Sequence, residues 1–440
     1  MRKIAFIGGG SWGFTRNLVT DILSYPALAD SHIALMDISS ERVEFSRQAV
    51  ERIIAQGRYP ARVTATLDRA EALDGADGVV STILVGGVEV FRYDVEIPKK
   101  YGVDINVGDM RGPAGVFRTL RTLPVLLEVC RDIERHCPEA VFLNYTNPMG
   151  MLCRGMLGQS RVRMAGLCHS VQHVAGFLAR WIGAEDKDVT YTCAGINHQA
   201  WFLEYRWKGK DAYPLIREAL KKPEIWNYEP VMNEMFQRLG WFVTESSGHN
   251  SEYNPWFRKR PDLIEKYCTH GTGYNPGKYH FGVDAYLDMG RKWRKDVEDW
   301  LASKEPINLA RGKEYASAIF NAVLGDGTPC IFHGNVRNFG LIDNLLPGGC
   351  VEVPIAASPA GMQPTHIGAL PPQLALLNEI NLRCEELAVE GCIEGDPRKI
   401  YHSLCYDPLT SAVASLSEIQ EMTDEMFAAN RQWLPQFRGI

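Results

Sequence analysis

Short apolar runs alternate with longer segments of helical periodicity through the first 170 residues of the chain. In the first of these helical segments, Leu18, Val19, Ile22 and Leu23 recur at the spacing of one helical face. Strands that alternate with helices favour a right-handed parallel sheet. The predicted strands cover residues 3–7, 32–38, 77–84, 140–144 and 163–168, and the predicted helices cover residues 15–23, 41–55 and 124–137.

The pattern changes beyond residue 195, where long helical stretches are mixed with isolated strands. We therefore expect an α/β protein of two domains, residues 1–195 and residues 196–440, of which the second is a mixed α+β lobe. No Ser/Gly-rich linker separates them, so an extensive interface with a ligand cleft is expected. The predicted elements of the second lobe include a helix over 373–390, entered through Pro371 and Pro372 and closed by Gly391, and strands over 330–336 and 350–355.

Composition and charge are those of an ordinary globular enzyme. The 440 residues are 45% hydrophobic and 23% charged. The 47 Lys and Arg residues against 53 Asp and Glu residues give a net charge of −6, and no run of five like charges occurs. A nucleic-acid-binding surface is therefore not expected.

The cysteines and the apolar runs indicate a reducing compartment. The 11 cysteines are odd in number and contain no CxxC pair, which disfavours a disulfide framework and a structural zinc site. The N-terminal apolar run reaches glycine too early for a secretory signal, and no stretch is long enough to cross a membrane. We expect a cytoplasmic protein without a membrane partner.

A glycine-rich turn follows the first predicted strand. Gly8, Gly10 and Gly13 have the GxGxxG spacing, and Ser11 lies in the same turn. Asp37 ends the second predicted strand, where a carboxylate accepts hydrogen bonds from ribose hydroxyls and repels a 2′-phosphate. This predicts a Rossmann-like domain that binds NAD in preference to NADP. The alternative is a tight turn with an Asp that only caps a helix.

A cysteine and two histidines follow predicted strands. Cys168 and His169 come directly after the strand at 163–168, and His198 lies 30 residues after Cys168. The spacing is not a local zinc motif, so a shared metal requires the fold to bring the thiolate and the imidazole together. The alternative is a buried thiol beside a core histidine. Two protein ligands would leave open positions, as in a catalytic metal site.

Several polar residues are candidates for ligand contacts. Asn147, in NYTNPM, follows the strand at 140–144 and either faces the nicotinamide and substrate or belongs to an Asx turn. Asp109, Arg111 and Arg337 are candidates for binding ligand hydroxyls.

The segment TESSGHNSEYNPW concentrates ionisable side chains. Glu245, His249, Glu252 and Tyr253 lie within it, next to Pro255 and Trp256, and the pattern is too irregular to predict a helix. Composition alone favours a polar surface loop.

The order of these motifs resembles glycoside hydrolase family 4. The strings that carry the resemblance run from the first strand to about residue 410, and CHSVQ and TESS are most similar to the α-galactosidase branch. They are NYTNPM, GLCHSVQ, AGINH, FVTESS, EYNPWF, GNVRNFGLIDNL and CVEVP.

The resemblance implies a lactate/malate dehydrogenase-like fold and an α-galactosidase that needs NAD and a divalent metal, typically manganese, and forms a homodimer or homotetramer. The family departs from the two-carboxylate scheme of most glycosidases. By motif position, the resemblance implies Cys168 and His198 as metal ligands and Gly8, Gly10 and Asp37 as NAD contacts. It implies that Asn147 lies near the sugar and the nicotinamide and that His169 is the acid. The implied base is Tyr253, with His249 or Glu245 as alternatives.

The implied chemistry joins redox and elimination steps. Hydride transfer from sugar carbon 3 to NAD makes a ketone, which acidifies the proton on carbon 2 for removal by a base. A metal on the oxygens of carbons 2 and 3 acts as a Lewis acid, and water adds back at carbon 1 before the hydride returns. Alternatives are a family 4 α-glucosidase or α-galacturonidase, an NAD-dependent 2-hydroxy-acid dehydrogenase, and a non-enzymatic NAD-sensing regulator.

Overall fold

One mixed sheet runs through the part of the chain that the computed structural model describes, residues 1–269 and 281–437. It has 13 strands within those ranges. In chain order they are β1 (Lys3–Ile7), β2 (His32–Met36), β3 (Arg62–Thr66), β4 (Gly78–Ser81), β5 (Val141–Asn144), β6 (Arg163–Leu167), β7 (Val189–Ile196), β8 (Gln199–Trp207), β9 (Lys210–Asp211), β10 (Phe242–Val243), β11 (Cys330–Arg337), β12 (Cys350–Ser358) and β13 (Gly361–Pro364).

The helices of the same ranges vary from a single turn to the 25 residues of the longest. They are α1 (Trp12–Leu23), α2 (Ser40–Gly57), α3 (Arg69–Leu73), α4 (Gly87–Lys100), α5 (Gly112–His136), α6 (Met149–Gln159), α7 (Ser170–Trp181), α8 (Tyr213–Ala219), α9 (Pro223–Trp226), α10 (Pro230–Leu239), α11 (Ser247–Tyr253), α12 (Pro261–Tyr267), α13 (Phe281–Ala302), α14 (Tyr315–Leu324), α15 (Pro372–Glu394), α16 (Pro397–Tyr406), α17 (Pro408–Val413) and α18 (Leu416–Asn430).

The first six strands are parallel and lie in the order β3-β2-β1-β4-β5-β6. This is the order of a doubly wound sheet, so the predicted Rossmann-like half is confirmed. From β1 the chain adds β2 and β3 on one side and then crosses back to place β4 on the other side, so the strand order reverses between β1 and β4. Such sheets bind ligands beyond the carboxyl ends of the strands at this reversal.

Antiparallel strands extend the same sheet past β6. β11 pairs with β6, β12 with β11, β7 with β12, and β8 with β7, which confirms the predicted mixed α+β character of the second half. β7 spans residue 195, so one strand belongs to both predicted domains. The division at residue 195 stays a prediction.

Apolar side chains cover both faces of the parallel half. In β1, Ile4 and Phe6 pack in one buried cluster with residues of α1, whereas Ala5 and Ile7 pack in another with residues of α5. A strand that is buried on both faces has a continuous apolar run rather than an alternating one. This is why the sequence pattern found β1, β2, β4, β5 and β6.

Two elements differ from the pattern for identifiable reasons. β3 was not predicted, because it lies at the edge of the sheet and its side chains are exposed or half-buried. α5 begins at Gly112 rather than at residue 124, since Pro113 occupies its first turn and Pro124 lies inside the helix.

The predicted closure of the long helix at Gly391 is wrong. α15 continues to Glu394, and Gly395, with a φ of +69°, ends it in the left-handed conformation. A Cβ atom at Gly391 would lie 2.7 Å from Cδ1 of Ile400 in α16. Gly391 therefore allows α15 and α16 to approach closely and does not end the helix.

No helix in the described ranges is long and apolar enough to cross a bilayer. All 11 cysteines are free thiols, most of them buried, which confirms that the chain has no disulfide framework.

Substituting the glycines of two helices tests the packing of α15 on α16. Gly391→Ala is expected to lower the free energy of unfolding by about 1–3 kcal/mol, because its methyl group has no room. Gly290→Ala, in α13, is the matched control; open space surrounds Gly290, and the change is expected to stabilise the helix by about 0.5–1 kcal/mol. Equilibrium urea unfolding measures both. Stabilisation by Gly391→Ala would contradict the packing explanation.

Candidate active site

The glycine turn between β1 and α1 has no room for a side chain at Gly8 or Gly10. Gly8 has a φ of +86°, and a Cβ atom there would lie 2.5 Å from the carbonyl oxygen of Thr82. A Cβ at Gly10 would lie 2.6 Å from Oδ2 of Asp37. Gly13, by contrast, has open space beside it. α1 begins just after Ser11, beyond the carboxyl end of β1, and a diphosphate can bind at a helix N-terminus in this position.

Asp37 braces this turn. Its Oδ2 accepts a hydrogen bond from the amide of Gly10 at 2.9 Å, and its Oδ1 accepts one from the amide of Ser39 at 3.0 Å. The side-chain cap of α2 is Ser39, so the helix-capping alternative for Asp37 does not hold. Each carboxylate oxygen keeps a further lone pair for a ribose hydroxyl.

Helix α13 packs beside the glycine turn, which the sequence pattern did not indicate. The Arg42 guanidinium lies 4.2 Å from the ring centroid of Trp293, and the Arg16 guanidinium lies between Trp12 and Trp300, at 4.6 and 5.2 Å. α13 also packs against α2 and α4. The helical spacing of Trp293, Val297 and Trp300 in a charged stretch could have signalled a packed face.

The turn after β5 contains the Asx turn that the sequence offered as one alternative. Oδ1 of Asn144 accepts a hydrogen bond from the amide of Thr146 at 3.1 Å, which is the Asx turn. Asn147 instead donates through Nδ2 to Oδ2 of Asp109 at 3.2 Å. The fold therefore brings Asn147 and Asp109 together, and their contact with a ligand stays a prediction.

The fold brings Cys168 and His198 together. Cys168 follows β6, His198 lies in the turn between β7 and β8, and Sγ and Nε2 are 3.3 Å apart. Oε2 of Glu245 lies 3.3 Å from the same Nε2. The ligand atoms of these three residues lie within 4.8 Å of one another, so a thiolate, an imidazole and a carboxylate could hold one divalent cation and leave positions open. The sequence analysis had named Glu245 only as a base.

Asp109 and His249 adjoin this cluster. Nε2 of His249 lies 3.3 Å from Oδ1 of Asp109, and Nδ1 lies 3.3 Å from Oε1 of Glu245. Asp109, His198 and His249 form a second group whose ligand atoms lie within 4.8 Å. His249 thus lies between two carboxylates.

The expected polar surface loop at TESSGHNSEYNPW is wrong. Residues 247–253 form α11, which is buried throughout, and Ser246 caps it by accepting a hydrogen bond from the amide of His249. Glu252 accepts hydrogen bonds from the amides of Asn106, Val107 and Gly108. The polar side chains of this segment pair with other groups of the protein and not with water. Amino-acid composition does not distinguish these two cases, so the segment resembles a surface loop. Tyr253 OH lies 3.2 Å from Nδ1 of His198.

Burial and neighbouring charges separate the protonation states of the site. Burial lowers the pKa of His198 to about 4, which leaves a neutral imidazole able to ligate a metal. Burial opposes protonation of His249, but Glu245 and Asp109 outweigh it and raise its pKa to about 9. Burial, with Glu245, raises the pKa of the Cys168 thiol. A bound cation would favour the thiolate that coordination requires.

His169 and Arg337 lie apart from the buried cluster. The side chain of His169 is 59% exposed, and its Nδ1 is 3.7 Å from Oε1 of Glu314. Arg337 donates through Nε to the carbonyl of Gly348. β11 runs antiparallel to β6, with Asn335 opposite Gly166, so Arg337 lies toward the start of β6 whereas Cys168 follows its end. The structure does not bring Arg337 together with the other candidates.

Comparison with known proteins assigns the family. The model described as family 4 glycosyl hydrolase matches residues 3–184, and that of the family's C-terminal domain matches residues 193–410. The chain belongs to this family. The resemblance inferred from the motifs is therefore confirmed.

Individual relatives agree with this assignment. The chain is 38% identical over 448 aligned residues to an α-galactosidase of Bacillus subtilis (strain 168), with 100% of both chains covered. It resembles a 6-phospho-α-glucosidase from gut microorganisms in complex with NAD and Mn2+ (TM-score 0.83, 20% identity, 99% of both chains). A malate dehydrogenase from Plasmodium falciparum in complex with NADH has a TM-score of 0.51 at 10% identity over 89% of this chain and 99% of its own, which confirms the dehydrogenase-like fold.

Removing any of the three candidate ligands is expected to weaken manganese binding. Cys168→Ser, His198→Ala and Glu245→Gln should each raise the Mn2+ dissociation constant at least about tenfold, since even outer partners of metal sites contribute that much. Cys193→Ser is the matched control, because Cys193 is a buried thiol on β7 outside the cluster. Electron paramagnetic resonance titration of Mn2+ measures the constants. Wild-type affinity in a variant would remove that residue from the site.

Proposed function

We propose that the protein hydrolyses α-galactosides with the help of NAD and a divalent cation such as manganese. The observation that carries this proposal is the cluster of Cys168, His198 and Glu245 on a dinucleotide-binding sheet. Full-length similarity to an α-galactosidase supports the choice of sugar.

The residues present fit both groups. Gly8 and Gly10 let the turn pack against Thr82 and Asp37, so that α1 can present its N-terminus to a diphosphate. Asp37 keeps lone pairs for ribose, and the cluster offers sulfur, nitrogen and oxygen donors. When bound, NAD supplies a reversible hydride acceptor and the cation supplies a Lewis acid.

Tyr253 is our proposed base for the proton on sugar carbon 2. Its hydroxyl lies beside His198, and burial, with Asp109 and Glu252, raises its pKa, so Tyr253 needs a cationic neighbour to lose its proton. Of the alternatives, His249 already carries a proton at neutral pH, whereas His198 and His249 outweigh burial and lower the pKa of Glu245. Glu245 is therefore the better second candidate.

His169 is our proposed acid for the leaving group. It follows the metal-ligand candidate Cys168 and begins α7, where its exposed side chain can exchange protons with water. Asn147 and Asp109, joined by a hydrogen bond, are proposed to contact the sugar. Arg337 stays a predicted substrate contact.

The rival activities differ in their support. A 2-hydroxy-acid dehydrogenase would pair one imidazole with a carboxylate, as His249 and Asp109 do. Family membership and the additional Cys168 and Glu245 favour the glycosidase. An α-glucosidase or α-galacturonidase would use the same metal and NAD residues. Only the preferred substrate therefore distinguishes these two activities from an α-galactosidase.

We also infer a cytoplasmic homodimer or homotetramer. The free thiols support a reducing compartment. Leu376 and Ile380 are exposed one turn apart on α15, where a second copy could cover them. Net negative charge supports the absence of a nucleic-acid partner.

A panel of chromogenic glycosides tests the activity. We expect an α-galactoside to be cleaved only when NAD, Mn2+ and thiol are all present, without net NADH, because the hydride leaves and returns within one cycle. α-Glucosides, α-galacturonides and β-galactosides are the comparison substrates. Preferential cleavage of one of these would reassign the sugar, and full activity in protein freed of nicotinamide would overturn the redox route.

Tyr253→Phe tests the proposed base. In heavy water the wild type should place deuterium on carbon 2 of the released galactose, as mass spectrometry can measure. The variant should lose both exchange and hydrolysis by about 100-fold or more, because the hydroxyl that moves the proton is gone. NAD binding should persist. Tyr205→Phe, a buried tyrosine bonded to the carbonyl of Ala175, is the control. Normal exchange in Tyr253→Phe would assign the base to Glu245 or His249.

A further inference from the structure

A buried ion pair adjoins the turn that carries the metal-ligand candidate His198. Nε of Arg111, the residue that precedes α5, donates to Oε1 of Glu385 in α15 at 2.8 Å. The two side chains are only 3% and 6% exposed. Burying two charges carries a desolvation cost that a stabilising role alone rarely justifies. The pair therefore calls for a second role.

Arg111 also holds the turn that carries His198. Its Nη2 donates to the carbonyl of Asn197, the residue before His198, at 2.5 Å. His198 has a φ of +61°, a left-handed conformation that is unfavourable for a non-glycine residue. A charge-assisted hydrogen bond to the adjacent peptide helps to hold that conformation. Nδ2 of Asn197 faces Glu352 on the other side, at 3.5 Å.

The same guanidinium lies against Tyr253. Its central carbon is 4.8 Å from the ring centroid, and the hydroxyl of that ring is 3.2 Å from Nδ1 of His198. Arg111 therefore contacts both the backbone before His198 and the side chain that faces its Nδ1. The two contacts together orient the imidazole so that Nε2 faces Cys168 and Glu245.

We propose that Arg111, fixed by Glu385, is a positioning residue that presents Nε2 of His198 to the metal. This inference rests on the proposed function, because it assumes a cation at Cys168 and His198. Two guanidinium nitrogens point in fixed directions to Glu385 and to Asn197, which a lysine ammonium, with one nitrogen, does not reproduce.

The same helix supplies a matched control. Arg121 in α5 donates through Nη1 to Oδ1 of Asp94 at 2.9 Å and to Oδ1 of Asn430 at 2.6 Å. The side chains of Arg121 and Asp94 are 2% and 0% exposed. This pair is as buried as Arg111 and Glu385, but its partners lie outside the metal-ligand groups.

The experiment compares Mn2+ binding in full-length Arg111→Lys, Glu385→Gln and Arg121→Lys. We expect the first two to raise the Mn2+ dissociation constant by about 10- to 100-fold, the range for partners that orient metal ligands. The resonance spectrum of bound Mn2+ should change as well. Arg121→Lys should leave both unchanged, and the NAD dissociation constant should be that of the wild type in all three. Glu385→Gln keeps the shape of the side chain, so it serves if Arg111→Lys does not fold.

Wild-type Mn2+ affinity and spectrum in both Arg111→Lys and Glu385→Gln would overturn the positioning role. Equal loss in Arg121→Lys would also overturn it, because general destabilisation would then explain the effect. A raised KM with unchanged Mn2+ binding would make Arg111 a substrate contact instead. If the wild-type protein binds neither NAD nor Mn2+, the proposed function itself is wrong. Binding of NAD and Mn2+ by the wild type is therefore measured before the variants are compared.

Discussion

The site depends on a contact between the residues that follow β6 and the residues that follow β7. Two strands, β11 and β12, separate β6 from β7 in the sheet order. Adjacent strands lie about 4.8 Å apart, so a flat sheet would hold β6 and β7 about 14 Å apart. Sγ of Cys168 and Nε2 of His198 are nevertheless 3.3 Å apart. The turns after β6 and β7 and the two side chains must therefore span this gap, and the metal-ligand candidates meet only because they do.

Once these residues meet, their charges must be balanced away from water. Asp109 and Glu245 flank His249, and each carboxylate lies 3.3 Å from it. The imidazolium stabilises the ionised form of both carboxylates, so burial does not neutralise them. His198 stays neutral and Cys168 stays protonated in the same environment. A divalent cation would complete this balance, because it favours a thiolate beside a neutral imidazole and an ionised carboxylate.

The site also draws on both halves of the chain. The parallel half provides the glycine turn, Asp37 and Cys168, whereas His198 and Glu245 come from the antiparallel extension and the segment before α11. Arg111 lies where the halves meet and pairs with Glu385 of α15. A rigid connection of this kind suits a reaction that returns the same hydride to the same sugar, since reacting groups need fixed positions throughout the cycle.

The sequence by itself determined the parallel half of the sheet, the glycine turn and the family. These features are local: apolar runs, turn glycines and short motifs keep their meaning whatever lies around them. Only the tertiary structure decided that Cys168, His198 and Glu245 form one group, that α11 is a buried helix, and that Arg337 lies elsewhere. Their neighbours come from distant segments, and polar residues that pair with one another in the interior have the same composition as residues that face water. Gly391 shows the same limit, because a glycine that ends a helix and a glycine that lets two helices approach look alike until the second helix is in place.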